Sequence, residues 1–140
     1  MRARRLRCLV PGRGLHEITG QVAACVAGVL AESGRSDGLC TLFVRHTSAS
    51  LVIQENADPA VPHDLENWMS RLAAENDPLY THDEEGPDDM PAHIKSALTA
   101  SSLAIPIIDG ALALGTWQGI FLWEHRNARG DREILVHVGD

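Results

Sequence analysis

"VRHTSASLVIQENADP" occupies residues 44–59, and its reading decides the fold. An apolar, strand-like run stops at His46, spends four small residues on Thr47-Ser48-Ala49-Ser50, and resumes as Leu51-Val52-Ile53. It ends in Glu55-Asn56-Ala57-Asp58-Pro59. A core needs none of that polarity. The segment is either a hairpin followed by an ordinary helix cap, or one wall of a binding site. Just upstream, Cys40, Leu42, Val44 and His46 share one face of a strand, because alternate residues do. Downstream, Asp58 suits a helix N-cap and Pro59 the first helical position. Val61, Leu65, Trp68, Met69 and Leu72 then give an apolar stripe at helical spacing.

Outward from this segment, residues 20–33 carry Val22, Cys25, Val26, Val29 and Leu30 at intervals of three and four, the period of a helix. Gly34 is a fitting C-terminal stop. Residues 4–10 read as a strand, "GRGLHEIT" as a glycine-broken connection, and "MPAHIKSALTAS" as a short helix. Asp109-Gly110 signals a hairpin. "GTWQGIFLWEHR" and "REILVHV" are two further strands, joined by "NARGD". The expected order is β-α-β-β-α-α-β-β-β-β. So few strands alternate with helices that a doubly wound parallel sheet is excluded. An α+β fold is expected, a mostly antiparallel β-sandwich with helices packed on one side. A chain of 140 residues fits a single domain, 1–140.

The net charge of −7 argues against a nucleic-acid binder, which would present a basic patch. No apolar run approaches the roughly 20 residues that span a bilayer. "MRARRLRCLV" is basic, then only briefly apolar, and Pro11-Gly12 interrupts it, so it is not read as a signal peptide. The expectation is a cytoplasmic protein without nucleic-acid or membrane partners. Three cysteines without a CxxC pair suggest reduced thiols rather than a disulfide framework or zinc motif.

Several polar residues stand out. His46 ends an apolar strand face, and Thr47, Ser48 and Ser50 follow it at a turn. Such residues ordinarily bond their own backbone; exposed amides and hydroxyls there also suit an oxyanion or phosphate. If 39–46 and 51–56 pair as a hairpin, Glu55 lies on the order of 15 Å from His46 at about 3.3 Å per residue. A shared ligand would then need a bend or a neighbouring subunit. His82 and His93 flank the acidic stretch "ENDPLYTHDEEGPDD", which is either a solvated loop or a metal-associated one. Lys95 points about 160–200° away from His93 on a helix. Glu124 continues the apolar face of Gln118, Ile120 and Leu122. Desolvation there would suit it to acid–base work unless a cation holds it ionised.

"GRGLHEIT", "HTSASLVIQENADP", "GPDDMPAHIK", "DGALALGTWQGIFLWEH" and "REILVHV" together resemble the YjbQ family, from about residue 6 to 138. The resemblance implies a compact α+β sandwich, a homotrimer, and a polar site near subunit boundaries. Within that pattern His46 is the histidine of His-Thr-x-Ala, and Glu55, Asn56 and Asp58 stand in Glu-Asn-Ala-Asp-Pro. His82 is the loop histidine, His93 and Lys95 the Ala-His-Ile-Lys pair, and Glu124 the glutamate after the Trp-Gln strand. It also implies a secondary thiamine-phosphate synthase activity, which joins a pyrimidine pyrophosphate to a thiazole phosphate. Such chemistry requires a divalent cation or basic groups on the leaving pyrophosphate. Two departures stand out. Many members carry Ala-Gly where this chain has Ala49-Ser50. Many carry Glu-Phe-Asp-Gly-Pro-Arg where it reads "EHRNARGDR", so Arg126 replaces an aspartate.

The expected site therefore has His46, His82 and His93 on a divalent metal (zinc, manganese or magnesium). Glu124, His93 and Lys95 are the catalytic candidates. Thr47, Ser48, Asn56 and Lys95 are the contacts for a phosphorylated small-molecule substrate. Three function classes follow: an enzyme acting on phosphorylated small molecules, a metal-dependent hydrolase, and a non-catalytic trimeric ligand-binding protein.

Overall fold

The computed structural model describes residues 2–140. Its elements are β1 (Arg2–Val10), β2 (Gly14–Glu17), α1 (Thr19–Ser33), β3 (Gly38–Val44), β4 (Ala49–Glu55), α2 (Ala60–Leu72), α3 (Asp89–Leu98), β5 (Ser102–Ile108), β6 (Ala111–Leu112), β7 (Gln118–Glu124) and β8 (Gly130–Gly139). They form a five-stranded sheet, β1-β8-β3-β5-β6, and a three-stranded sheet, β2-β7-β4. Every pairing is antiparallel. The fold is the expected α+β class.

One core lies between the sheets. Cys40, Leu42 and Val44 of β3 and Ile134, Val136 and Val138 of β8 meet Leu51, Ile120 and Leu122 of the smaller sheet. Helix α1 adds Val22, Val26, Val29 and Leu30 to the same core. Its stop is the expected one: Gly34 takes φ +71°, and its N–H donates to Leu30 O at 2.9 Å. That left-handed cap favours glycine. Asp109 and Gly110 both take positive φ, the geometry of a two-residue hairpin between β5 and β6.

Phe121 and Trp123 face away from this core and are buried under the other helices. Helix α2 packs on β2 and β4, and α3 packs on β4. All three helices thus lie on one side of the five-stranded sheet.

The opening segment differs from its expected form. β3 and β4 do not pair. β3 lies between β8 and β5, while β4 pairs with β7 in the other sheet. The turn after His46 therefore carries the chain from one sheet to the other. Ser48, Ala49 and Ser50 are buried, and their small side chains let the backbone pass between the layers. "GLHE" is also a strand, β2, paired with β7.

Helix α2 runs from Ala60 to Leu72, so Pro59, expected as its first residue, is its N-cap instead. Asp58 still supports its start, accepting the Ala60 N–H at 2.9 Å. Of the expected stripe only Met69 is buried, and Trp68 and Leu72 are exposed. The helix lies along an edge, so its apolar face is only partly covered.

Candidate functional site

Residues from several elements converge at one end of the sandwich. Ala49, at the start of β4, and Gly14, at the start of β2, both pair with Glu124 at the end of β7. The β3–β4 crossing brings His46 there, the start of β8 brings Arg132, and α3 brings Asp89 and His93.

Asp89 opens α3 and His93 lies one turn later, so helical geometry puts their side chains together. The loop before α3 delivers His82 to the same place. Asp89 Oδ2 lies 2.8 Å from His82 Nε2 and 3.3 Å from His93 Nε2. The two imidazoles meet edge to face with centroids 5.4 Å apart. The three ligand atoms all fall within 4.8 Å of one another. Tetrahedral ligands about 2.0–2.1 Å from a metal are about 3.3–3.4 Å apart, so the donor set fits one divalent ion after small side-chain adjustments. Asp89 itself is buried, while His82 and His93 are partly open.

Asp89 is the residue the sequence reading missed. It sits in an acidic run that resembles a solvated loop. Its signal is the Asp-x-x-x-His spacing, which places a carboxylate and an imidazole on one helix face.

A cleft of about 500 Å³ adjoins His82; Asn76, Asp77, Tyr80, Asp83 and Met90 are among its lining residues. Its walls are acidic and apolar, with no lysine or arginine.

Behind the centre lies a chain of ion pairs. Glu124 is wholly buried and receives Arg132 Nε at 2.5 Å and the Arg126 N–H at 3.2 Å. Arg132 is thus the cation paired with Glu124. Glu124 sits beneath the site, in contact with two arginine residues and out of reach of solvent. That geometry suits anchoring rather than the acid–base role expected of it. Arg126 reaches Asp88 Oδ1 at 3.3 Å and Asp89 Oδ1 at 3.4 Å. Burial works against the Asp88 carboxylate, but the Asn127 N–H and the Arg126 guanidinium outweigh it and hold its pKa below the ordinary range.

His46 is near this group but is not one of the converging ligands. Its Nδ1 accepts the Ser48 N–H at 3.1 Å and lies 2.9 Å from Ser48 Oγ. A backbone N–H can only donate, so Nδ1 is the acceptor and the neutral ring carries its proton on Nε2. Partial burial and then Arg132 lower its pKa, with Glu124 acting the other way. His46 was expected as a metal ligand; it stands outside the cluster of His82, Asp89 and His93, and its Nε2 carries the proton.

The other expected contacts are distributed differently. Ser48 is buried and committed to His46, so it does not present a phosphate contact. Thr47 is exposed on the turn. Asn56 lies past the far end of β4 and bonds Glu17 Oε2 at 2.9 Å, well away from Glu124 within one chain. Lys95 is 1% exposed and points under α3, away from His93. Burial, then the charge of Arg13, lower its pKa, against Glu66, Glu75 and Asp88. It is closed off from a phosphate bound at the surface.

The profile described as "UPF0047 protein YjbQ-like" matches residues 7–140. The chain belongs to the YjbQ-like family. It is 55% identical over 127 residues to UPF0047 protein sll1880 of Synechocystis sp., covering 91% of this chain and 84% of that protein. It is 45% identical over 125 residues to UPF0047 protein YjbQ of Escherichia coli O157:H7, covering 89% and 87%. The crystal structure of a conserved hypothetical protein from Thermus thermophilus superposes with a TM-score of 0.83 at 37% identity, covering 96% of this chain and 98% of that one. Function is not established for the YjbQ-like family by these relatives. No helix among the described residues is long and apolar enough to cross a membrane.

Proposed function

We propose that the protein is a metal-dependent enzyme acting on a small phosphorylated molecule, with a divalent ion held by His82, Asp89 and His93. The convergence of these three ligand atoms within 4.8 Å beside a cleft carries the reading. Two imidazoles and a carboxylate suit zinc or manganese better than magnesium, which favours oxygen ligands. Three protein ligands with a further position open is the pattern of catalytic rather than structural zinc. When bound, such an ion supplies Lewis acidity toward a phosphate oxygen or a water.

The chain's own residues would then divide the remaining work. Arg126 fixes Asp89 from the side opposite the imidazoles. His46 offers a proton from Nε2. The acidic cleft, through Asp77 and Asp83, favours a cationic or hydrogen-bond-donating part of the substrate over its phosphate. Thiamine-phosphate synthesis fits that division in outline, since it pairs phosphates with an electron-poor ring. Hydrolysis of a phosphate ester fits the open metal position. Following the family resemblance, we also read the protein as a homotrimer acting in the cytoplasm.

The test is to load the protein with zinc or manganese and follow pyrophosphate and phosphate release. Pyrophosphate release that requires both a pyrimidine pyrophosphate and a thiazole phosphate supports the transferase form. Phosphate release from a single ester supports the hydrolase. In either case His82→Ala is expected to lower the rate at least about 100-fold, a loss of about 2.7 kcal/mol in transition-state stabilisation. No metal-dependent release from either substrate class would contradict the enzyme reading and favour a ligand-binding protein.

A further inference from the structure

We propose that Arg126 assembles the His82–Asp89–His93 centre by clamping the His82 loop onto α3 while leaving one Asp89 oxygen free to ligate. The ligand half of this inference rests on the metal reading above; the clamp itself rests on geometry alone.

The three candidate ligands are not equally secured. Asp89 and His93 share a helix, so their spacing is set once α3 forms. His82 lies in the connection between Leu72 and Asp89, which contains no helix or strand. Its position depends on what ties that connection down. Arg126 Nη2 donates to Glu85 O at 2.8 Å and to Asp88 Oδ1 at 3.3 Å, and Nη1 lies 3.4 Å from Asp89 Oδ1. The Asn127 N–H adds a bond to Asp88 Oδ2 at 2.9 Å. Among the described residues, the hydrogen bonds joining residues 81–88 to the chain beyond α3 all come from Arg126 and Asn127, in the loop between β7 and β8.

The loop is shaped to meet the guanidinium. Gly86 takes φ +101°, and a Cβ there would come within 3.4 Å of Asp88 Oδ1 and 3.8 Å of Arg126 Nη2. Those distances are ordinary contacts; what glycine supplies is the positive φ, which other residues rarely adopt. The clamp also has a fixed base. The Arg126 N–H bonds Glu124, which is buried and paired with Arg132. Arg132, Glu124, Arg126 and Asp89 thus form one line from the strand layer to the candidate ligand.

A planar guanidinium can hold three acceptors in a fixed fork, which a lysine ammonium does not reproduce. It occupies Asp89 Oδ1 and leaves Oδ2 facing both imidazoles. Its positive charge opposes a nearby cation. That charge is matched locally by Asp88 and Asp89, so orientation is the larger effect. Loss of a group that orients a metal ligand ordinarily lowers affinity about 10–100-fold.

The experiment uses the full chain carrying Arg126→Gln or Arg126→Lys, with two readouts. The first is amide hydrogen exchange in metal-free protein. Residues 81–88 should exchange faster in both variants while β7 and β8 keep their protection. The second is zinc affinity, measured by competition with a chromophoric chelator. It should fall about 10–100-fold in Arg126→Gln. In a His82→Ala background the same substitution should lose much less, since the two residues act through one geometry. Unchanged exchange in residues 81–88 would overturn the clamp. Faster exchange with unchanged zinc affinity, or a full additive loss in His82→Ala, would overturn the positioning role. If the unsubstituted protein binds no zinc, the metal reading fails, and the positioning role fails with it; exchange still decides the clamp. Arg126→Lys keeps the charge and serves where Arg126→Gln does not fold.

Discussion

His125 follows Glu124 in the chain but faces the opposite side, beneath α2 and α3, and none of its surface reaches solvent. Its Nε2 is 2.8 Å from Ser50 Oγ, its Nδ1 has no protein partner, and its ring lies 5.4 Å from that of Trp123. Arg13 Nε and Glu66 Oε1 are buried in the same region, also without partners. Such polar atoms ordinarily hold internal water. Burial, then the charges of Lys95 and Arg13, push the His125 pKa down to about 3. The imidazole is therefore neutral at pH 7. In the unfolded chain it takes a proton near pH 6.5, and in the folded protein only near 3, so between those values the unfolded state binds more protons. Stability is accordingly lost as pH falls from about 6.5 toward 3 and levels off below. At about 1.4 kcal/mol for each tenfold change in proton affinity, the effect amounts to several kcal/mol. Urea midpoints at pH 7, 5.5 and 4 should fall steeply in the unsubstituted protein and less steeply in His125→Gln. Equal slopes would show that His125 does not carry the acid sensitivity.

Elements were legible in the sequence where a period or a turn signal was strong. The spacing of Val22, Val26, Val29 and Leu30, closed by Gly34, gave α1 almost to the residue, and Asp109-Gly110 gave the β5–β6 hairpin. β2 was not legible, because four residues are too few to display alternation. The β3–β4 connection misled for a related reason. Small residues between two apolar strands read as a hairpin turn, but Ser48, Ala49 and Ser50 are small because the chain crosses between packed sheets. The same crossing carries His46, but the clustered residues come from α3 and the loop before it. His82 and His93 were legible as histidines beside acidic loop residues, and the structure joins them. Asp89 was hidden in its acidic run, and Arg126 was noticed only as a departure from the family pattern. Lys95 looked like a solvated helix residue or a phosphate contact, because the sequence does not reveal that α3 turns that face onto β4.

On the scale of the whole molecule, the five-stranded sheet has one face on the core and leaves Phe43 and Leu9 exposed on strands β3 and β1. Asn56 and Trp117 lie at the opposite end of β7 from Glu124, with Trp117 exposed. In the homotrimer we propose, a neighbouring chain would be needed to bring that end near the metal centre. Light scattering should then give the mass of three chains; a mass of one chain would remove any shared site and leave each centre complete in itself. The claim on which most depends is the metal centre. The most direct measurement is metal content and zinc titration of purified, untagged protein beside His82→Ala, Asp89→Ala, His93→Ala and His46→Ala. The account predicts one ion per chain, lost in the first three variants and retained in His46→Ala, with all four still folded. No ion after exposure to zinc and manganese, or an ion that survives loss of Asp89 and either of the other two ligands, would contradict it.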